Sequence, residues 1–422
     1  MSSVIYRKDI RTNIRLIKEA EILVGVHSFN SINTIAHVIR AIYAGLLAYF
    51  PGRKAVIINS DGGSTDGTLE VVRKIAAEDY YSIQISQRVT RLFSIPSEEG
   101  VPGRGSAFRA IFEIAGALNV RACAVVDSDV RSITPEWIER LIRPLTEGFD
   151  YVLPLYQRHK YEGTLNNNLI YPVTRALYGK RVRQPIGGDF GFSGDLAKFF
   201  LSKDVWETDV ARNGIDIWMT TSAIANGFRV CQSYLGPKGL TPRDSGSYLS
   251  TVLYQVAGSM FDLMEEYSPA WRKIKGSEEV TTYGSPDSAG LEPVTVNIDR
   301  MIERFSLGAR ELVYLWEKFL SRDIVDYLKK LTALRGDNFY IPDEIWAEVI
   351  YSFAIASHRK IVNREHLLKS LTPLYVGKTA SFVIEMKECS ARQVEMKIEQ
   401  LCRVFEHDKL FLNINWGSRD RP

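Results

Sequence analysis

The sequence predicts an α/β protein in which a mainly parallel sheet carries helices on both faces and precedes a mostly helical C-terminal module. From residue 21 to about residue 156, short apolar segments alternate with segments of helical periodicity, which is the pattern of βαβ units. Beyond residue 297 the apolar spacing is mostly helical, as in 301–319 and 341–356. The alternating pattern is typical of a sheet that binds nucleotides.

The strands and helices of the first part follow from local patterns. The segment 122–126 is apolar throughout, as expected of a parallel strand that is buried on both faces. Asn33 or Thr34 can cap the first helix, and Ser64 or Thr65 can cap the second. The predicted strands are 22–26, 54–59, 81–86, 122–127 and 151–155, and the predicted helices are 35–50, 65–78 and 105–118.

Changes in composition divide the chain into four expected ranges. Residues 1–157 hold the predicted sheet, and 158–274 form a segment that is irregular as far as about residue 264 and contains the Gly187–Gly188 pair. The polar range 275–296 is rich in glycine and proline and is predicted to be a flexible linker or loop. Residues 297–422 form the helical module.

Composition excludes several classes of protein. The 422 residues are 45% hydrophobic and 24% charged, as in a globular protein with a sizeable core. A net charge of +3 with dispersed basic residues argues against nucleic-acid binding. Four cysteines without metal-ligand spacing favour a reduced, cytoplasmic protein. We expect no integral membrane segment and no signal peptide, because no apolar stretch has the required length or context.

Two carboxylates follow the apolar strand directly. Asp127 and Asp129, the Asp-x-Asp pair, are predicted to lie at the carboxyl end of this strand, where open α/β sheets bind ligands. Such a pair can hold Mg²⁺ or Mn²⁺ against a diphosphate, because these ions share their coordination between carboxylates and phosphates. A helix cap or a solvated turn is the alternative interpretation.

Two further turns point to a phosphorylated ligand. The segment 59–68 (Asn-Ser-Asp-Gly-Gly-Ser-Thr-Asp-Gly-Thr) follows the second strand, and its glycines allow the backbone to approach a ligand closely. Arg104 lies between Gly103 and Gly105 at the start of a helix, where the helix N-terminus and the cation both attract phosphate. A well-capped turn and a solvated loop charge are the respective alternatives.

Taken together, these residues resemble those of the GT-A glycosyltransferases. Three more segments are similar to the retaining glucosyl-3-phosphoglycerate synthases and the related glucosylglycerate and mannosylglycerate synthases: 103–107 (Gly-Arg-Gly-Ser-Ala), 184–189 (Gln-Pro-Ile-Gly-Gly-Asp) and 214–217 (Gly-Ile-Asp-Ile). The resemblance covers about residues 20 to 265. It implies a GT-A sheet in which 1–157 binds a nucleotide sugar and 158–274 binds an acceptor.

The resemblance also implies a role for individual residues. Asp129 would be the principal ligand of Mg²⁺ or Mn²⁺, and Asp127 would support the ribose or the metal's surroundings. The other implied sites are Val26, Ser28 and Asn30 for the nucleobase, Asp61 for the base or ribose, Arg104 for the nucleotide, Gly187, Gly188 and Asp189 for the donor sugar, and Asp216 near the acceptor or sugar. Asn167 and Lys238 belong to polar and basic segments that suit the carboxylate and phosphate of an acceptor.

One departure from the family is expected to affect the metal. Family members supply a metal-binding histidine from a loop after the last core strand, where this chain has Leu240. Asp244, the nearest acidic candidate, or water would then complete the coordination sphere, or the metal would bind less tightly.

The predicted activity is transfer of a hexose, glucose or mannose, from a UDP- or GDP-linked donor to D-glycerate or 3-phosphoglycerate. The resemblance implies a metal-dependent reaction with retention of configuration. An inverting transferase with Asp189 or Asp216 as the base is one alternative, and a catalytically impaired nucleotide-sugar-binding protein is another. A sugar-1-phosphate nucleotidyltransferase is disfavoured, because 25–28 lacks the glycine-rich signature of that class. A homodimer is compatible with the sequence.

Overall fold

The computed structural model describes residues 17–86, 91–96, 103–239, 246–286, 291 and 294–417. The chain divides into two compact units. Unit 1 comprises Met1–Gln157, Gly187–Arg243 and Val280–Ala289, and unit 2 comprises Arg158–Ile186, Asp244–Glu279 and Gly290–Pro422. This division differs from the four consecutive ranges expected from the sequence, because the chain leaves unit 1 after residue 157 and returns to it at Gly187.

The sheet of unit 1 has the strand order β3-β2-β1-β4-β6-β5-β7-β8. All of its strand pairs are parallel except those of β6, which runs antiparallel to both β4 and β5. The strands are β1 (Ile22–Ser28), β2 (Ala55–Asp61), β3 (Arg91–Pro96), β4 (Ala122–Asp127), β5 (Tyr151–Gln157), β6 (Phe190–Ser193), β7 (Val230–Pro237) and β8 (Thr282–Tyr283). The predicted α/β class with a mainly parallel sheet is therefore confirmed.

Helices belong to both units. Unit 1 contains α1 (Ile35–Tyr49), α2 (Thr68–Ser86), α3 (Arg104–Ala117), α4 (Pro135–Thr146), α6 (Gly194–Leu201) and α7 (Ile215–Ala225). Unit 2 contains a π-helical turn (Asn166–Ile170) and α5 (Tyr171–Tyr178), α8 (Gly246–Glu266), α9 (Ser268–Trp271), α10 (Ile298–Trp316), α11 (Arg322–Leu331), α12 (Asp343–His358), α13 (Arg364–Glu385) and α14 (Ala391–Gly417). The predicted helical C-terminal region is thus confirmed. Among the described helices, none combines the length and apolarity needed to cross a bilayer.

Two predictions of local structure are wrong. The segment 81–86 forms the end of α2 rather than a strand, and the third strand is Arg91–Pro96. Apolar and polar residues alternate in 81–86, but β-propensity depends on context and the helix continues through the segment. The range 158–264, expected to be irregular, contains helices α5, α6 and α7, most of α8, and strands β6 and β7. Helix α7 is buried from Ile215 to Ala223, so its sequence lacks the amphipathic period of a surface helix.

The core explains why the carboxyl ends of the strands carry polar residues. Strand β4 is buried along its whole length, and α1 packs against the sheet through residues such as Val38 and Ile42. Phe112 of α3 meets Phe192 of β6 in an edge-to-face contact with ring centroids 5.0 Å apart. Covered by helices, the strands can expose polar side chains only where they end.

Candidate active site

Three parallel strands of unit 1 end at the same edge of the sheet. In the register of β1 and β4, His27 is opposite Asp127, and in the register of β1 and β2, Ser28 is opposite Asp61. Because these strands are parallel, their carboxyl ends bring the predicted site residues of three separate segments together.

Asp61 organises the turn after β2. Its Oδ1 accepts hydrogen bonds from the backbone N–H groups of Gly63 (2.9 Å) and Ser64 (2.8 Å), and its Oδ2 accepts from Ser28 Oγ (2.7 Å) and Ser64 Oγ (2.7 Å). Asn30, at φ +50°, joins the same turn by donating its N–H to Ser64 Oγ (2.8 Å) and accepting from the N–H of Thr65 (2.9 Å). The carboxylate therefore shapes the loop, whereas direct contact with a base or ribose was expected.

Val26 also differs from its expected role. Its side chain is fully buried in the hydrophobic core of unit 1, since residues of a parallel strand point into covered faces. Only its backbone could face a nucleobase. Phe29, three residues further on, is instead 63% exposed beside the Asp61 turn.

The polar centre of the site is a network of buried charges. We call it the charge cluster; it consists of His27, Arg104, Asp127, Asp189, Asp216 and Lys238. His27 Nε2 contacts Asp127 Oδ1, Arg104 Nη2 lies 3.3 Å from the same oxygen, and Lys238 Nζ lies 2.9 Å from Asp127 Oδ2. Asp127 is therefore the carboxylate at which three basic side chains meet.

Asp189 is buried beneath this group. Its Oδ1 accepts from the backbone N–H of Asp127 (2.8 Å), and its Oδ2 accepts from Tyr156 Oη and from Lys238 Nζ (2.5 Å). The residue is completely buried, so the expected direct contact with the donor sugar does not fit this geometry. Asp189 instead fixes the backbone of Asp127 and the ammonium group of Lys238.

Lys238 also differs from its expected role as an acceptor ligand. Its side chain is 1% exposed and its ammonium group points at Asp127, Asp189 and the carbonyl oxygen of Gly187. A cation with three acceptors inside the protein has no donor left for an external carboxylate or phosphate.

Asp216 lies in the first turn of α7, where the helix dipole favours a carboxylate. Its Oδ2 accepts from the N–H groups of Gly187 (3.2 Å) and Gly188 (3.1 Å) and lies 3.3 Å from Arg104 Nη1. Its buried Oδ1 accepts no hydrogen bond from the part of the chain that the structure describes. The Gly187–Gly188 segment is thus held by Asp216 on one side and Lys238 on the other.

Burial and charge separate the pKa values of the three carboxyl groups. Burial opposes ionisation of Asp127, but Arg104, Lys238 and His27 outweigh it and hold the pKa well below its usual range. For Asp189 and Asp216, burial outweighs the neighbouring cations and raises the pKa. Asp127 is therefore the most readily ionised of the three.

Asp129 is the member of the Asp-x-Asp pair that suits a metal ion. It is half-buried just beyond β4, in a turn held by Ser128, whose carbonyl accepts from Thr34 Oγ1 (2.7 Å). Within the described ranges, no three His, Cys, Asp or Glu side chains form a group able to hold a metal. An Mg²⁺ or Mn²⁺ ion fits a single carboxylate when phosphate and water oxygens supply its other ligands. Leu240 and Asp244 lie outside the described residues.

Asn167, the remaining predicted site residue, belongs to the π-helical turn of unit 2. Its Oδ1 accepts from Arg183 Nη2 (2.9 Å), and its Nδ2 donates to the carbonyl of Glu162 (3.3 Å). Its role in acceptor binding remains a prediction.

The sequence reasoning missed two residues of the site, His27 and Tyr156. His27 is the penultimate residue of β1, directly before Ser28, so its position near a strand end was the signal that could have identified it. Tyr156 lies on β5, where no motif marks it.

Gly188 provides a test of how tightly the charge cluster is packed. It adopts φ +99°, and a Cβ built there would lie 2.2 Å from Asp127 Oδ2 and 2.8 Å from Lys238 Nζ. We expect Gly188→Ala to lower the free energy of unfolding by about 1–3 kcal/mol, because the backbone is strained and the cluster must shift. Urea unfolding measures this effect.

Gly116→Ala is the matched control, because a Cβ at this position in α3 meets nothing within 4 Å. Alanine favours a helix interior over glycine, so this variant should be as stable as the wild type or slightly more so. Equal stability of the two variants would contradict the packing described for Gly188.

Comparison with known families adds to this geometry. Residues 24–206 match the profile of glycosyl transferase family 2. That part of the chain is similar to glycosyl transferase family 2. The match confirms the predicted resemblance to glycosyltransferases. No curated protein has a significant sequence match to the chain.

Solved structures of one enzyme, glucosyl-3-phosphoglycerate synthase from Mycobacterium tuberculosis, are similar to this chain at low identity. Its complex with Mg²⁺ and UDP is 21% identical, with a TM-score of 0.44, over 60% of this chain and 82% of that one. Its complex with Mn²⁺, UDP and glucosyl-3-phosphoglycerate is 21% identical, with a TM-score of 0.43, over 60% of this chain and 83% of that one. Its complex with Mn²⁺, UDP-glucose and phosphoglyceric acid is 20% identical, with a TM-score of 0.43, over 61% of this chain and 83% of that one.

Proposed function

We propose that this chain transfers a glucose or mannose residue from a UDP- or GDP-linked donor to a small hydroxy acid such as D-glycerate or 3-phosphoglycerate. The observation that carries the proposal is the position of Arg104 and the Asp-x-Asp pair at one sheet edge, within the residues that match glycosyl transferase family 2. A cation at a helix N-terminus beside metal-binding carboxylates is an arrangement that recognises diphosphates.

The donor's nucleoside would bind against the turns after β1 and β2. The hydrogen bonds that Asn30 donates to Ser64 and accepts from Thr65 fix these two turns to each other, so the surface they form is preorganised. The hydrogen bond from Ser28 Oγ to Asp61 Oδ2 connects the same two turns. The diphosphate would then extend toward Arg104 at the start of α3.

Asp129 would hold the Mg²⁺ or Mn²⁺ ion together with the diphosphate. The ion supplies a positive charge where the leaving diphosphate becomes negative. The similar synthase has been solved with Mg²⁺ or Mn²⁺ and UDP, the same combination of ligands that we propose for this chain. Arg104, 22% exposed in its side chain, would stabilise the same charge from the protein side.

We propose that transfer retains the configuration of the donor sugar. The carboxylate of Asp189 is buried and both of its oxygens accept hydrogen bonds, so it is unsuited to attack the sugar as a nucleophile. The acceptor hydroxyl would then attack from the same face as the leaving diphosphate, which takes up its proton. One observation favours an inverting alternative: Asp216 has a raised pKa and an oxygen with no hydrogen bond from the described residues, as a base would need.

A panel of UDP- and GDP-linked hexoses tests the proposal, with glycerate or 3-phosphoglycerate as acceptor and Mg²⁺ or Mn²⁺ present. We expect one donor to give a glycoside whose anomeric proton in NMR spectra shows the donor's configuration. An inverted product would favour Asp216 as a base. Nucleotide binding without transfer or donor hydrolysis would indicate a nucleotide-sugar-binding protein instead.

Arg104→Ala tests the diphosphate contact. Losing a charge-assisted hydrogen bond costs about 1.5–3 kcal/mol, so the Kd for UDP or GDP should rise by about one to two orders of magnitude. Calorimetry with the nucleotide that the donor panel identifies measures the change. Arg109→Ala is the matched control, because Arg109 on the same helix pairs with Glu113; equal affinities of the two variants would contradict the assignment.

A further inference from the structure

Lys238 is an ammonium group sealed inside the candidate active site. It directly follows β7, and its side chain is 1% exposed. Its Nζ donates to Asp127 Oδ2 (2.9 Å), to Asp189 Oδ2 (2.5 Å) and to the carbonyl oxygen of Gly187 (2.7 Å). All three donors of the ammonium group are therefore used within the protein.

Contacts of the neighbouring backbone and of an aromatic ring hold the Lys238 side chain in this position. Gly239, the next residue, donates its N–H to Ser132 Oγ (3.0 Å) and accepts from the N–H of Arg131 (2.9 Å). Both contacts attach the end of β7 to the segment that follows the Asp-x-Asp pair. Lys238 Nζ also lies 4.8 Å from the centroid of the Tyr156 ring, within range of a cation–π interaction.

The other oxygen of Asp127 is engaged as well. His27 Nε2 contacts Oδ1, and Arg104 Nη2 lies 3.3 Å from it. A divalent ion that bound Asp127 directly would have to displace these groups and would sit within a few ångströms of a fixed positive charge. At an effective dielectric constant near 20, the repulsion between a divalent ion and one cation about 4 Å away is strong enough to suppress binding.

We propose that the ammonium group of Lys238 prevents Asp127 from binding the divalent ion, so that Asp129 is the carboxylate of the pair that binds the metal. The divalent ion then enters with the nucleotide, whose phosphates supply the negative charge that Asp127 no longer offers. This inference rests on the proposed function for the nucleotide, but the part that concerns Lys238 and the ion alone does not depend on it.

Mn²⁺ binding to the nucleotide-free protein tests the inference by calorimetry or water-proton relaxation. Lys238→Met should tighten Mn²⁺ binding by about tenfold, because the variant removes the repelling charge and frees Asp127 Oδ2. Lys238→Arg keeps the charge and should bind as the wild type does. Unchanged or weaker binding by Lys238→Met would overturn the proposal.

Two further variants test whether the change in Mn²⁺ affinity depends on the carboxylate of Asp127. In the double variant Lys238→Met, Asp127→Asn the gain should be smaller than in Lys238→Met, since the carboxylate that the first substitution frees is absent; a gain as large as that of Lys238→Met would overturn the proposal. If circular dichroism shows that Lys238→Met is misfolded, Lys238→Gln replaces it. Its amide can keep a hydrogen bond to the carboxylates, and the variant should likewise bind Mn²⁺ more tightly than the wild type does. A failure of hexose transfer would leave these Mn²⁺ results unaffected, so the two proposals fail separately.

Discussion

Replacing Asp129 by asparagine is expected to abolish metal-dependent hexose transfer while the protein folds as the wild type does. The residue is half-buried beyond the end of β4 and takes no part in the core, so the fold should tolerate the change. An amide is a poorer ligand than a carboxylate for a hard divalent ion. We expect kcat/KM to fall by about 100-fold or more, the scale of losing a group that stabilises charge in the transition state.

The control for this variant is Asp195→Asn, which removes a carboxylate that is 86% exposed on the surface of α6. Its kinetics should match those of the wild type, and circular dichroism should show that both variants are folded. Near-wild-type turnover by Asp129→Asn would refute the assignment of the metal to this residue.

Replacing Arg175 by methionine should destabilise unit 2 strongly. Arg175 on α5 is 1% exposed in its side chain and pairs with Glu399 and Glu406 of α14, with Arg175 Nε 2.9 Å from Glu406 Oε1. Removing Arg175 breaks charge-assisted hydrogen bonds to two half-buried carboxylates, which costs about 1.5–3 kcal/mol. Urea unfolding followed by circular dichroism should show a lower transition midpoint.

A matched arginine and the pH dependence sharpen this test. Arg181→Met removes a more exposed arginine that pairs with Glu279, itself 73% exposed, and should cost at most about 1 kcal/mol. Hydrogen bonding to Arg175 lowers the pKa of Glu399 from 4.5 to about 2. A depressed carboxyl pKa stabilises the fold above the unfolded value, so this contribution is lost as the pH falls from 4.5 toward 2.

The stability difference between wild type and Arg175→Met should therefore narrow over that pH range. A constant difference between pH 5 and pH 2, or a destabilisation no larger than that of Arg181→Met, would contradict the role given to Arg175.

The sequence predicted where β4 ends because that position depends on a local signal, whereas β1, β2 and β5 each continue two residues beyond their predicted ends. A run of apolar residues that stops at Asp127 marks both the buried strand and its exposed end, and the glycine-containing turn after β2 marks a second one. The third strand was misplaced because 81–86 has strand-like alternation inside a helix. Antiparallel β6 has only four residues, which is too short for a pattern to establish.

The functions of individual carboxylates could not be predicted in the same way, since they depend on contacts between distant segments. Lys238 and Asp127 are 111 residues apart, and Tyr156 and Asp189 are 33 apart. No spacing in the sequence shows that Asp189 is buried or that Lys238 points inward. Motif reasoning therefore found residues that meet at the site, but assigned ligand contacts to some that hold other side chains in place.

The antiparallel strand β6 has a consequence for shortened forms of the protein. Strands β4 and β5 do not pair with each other; each pairs with β6, which the chain supplies only after residue 189. A fragment that stops at Gln157 would keep the Asp-x-Asp pair but leave β4 unpaired along one side and β5 unpaired along both, because β7, the other neighbour of β5, also follows later in the chain. Such open edges recruit strands from other molecules, so a nascent chain of this length is prone to aggregate until β6 and then β7 leave the ribosome.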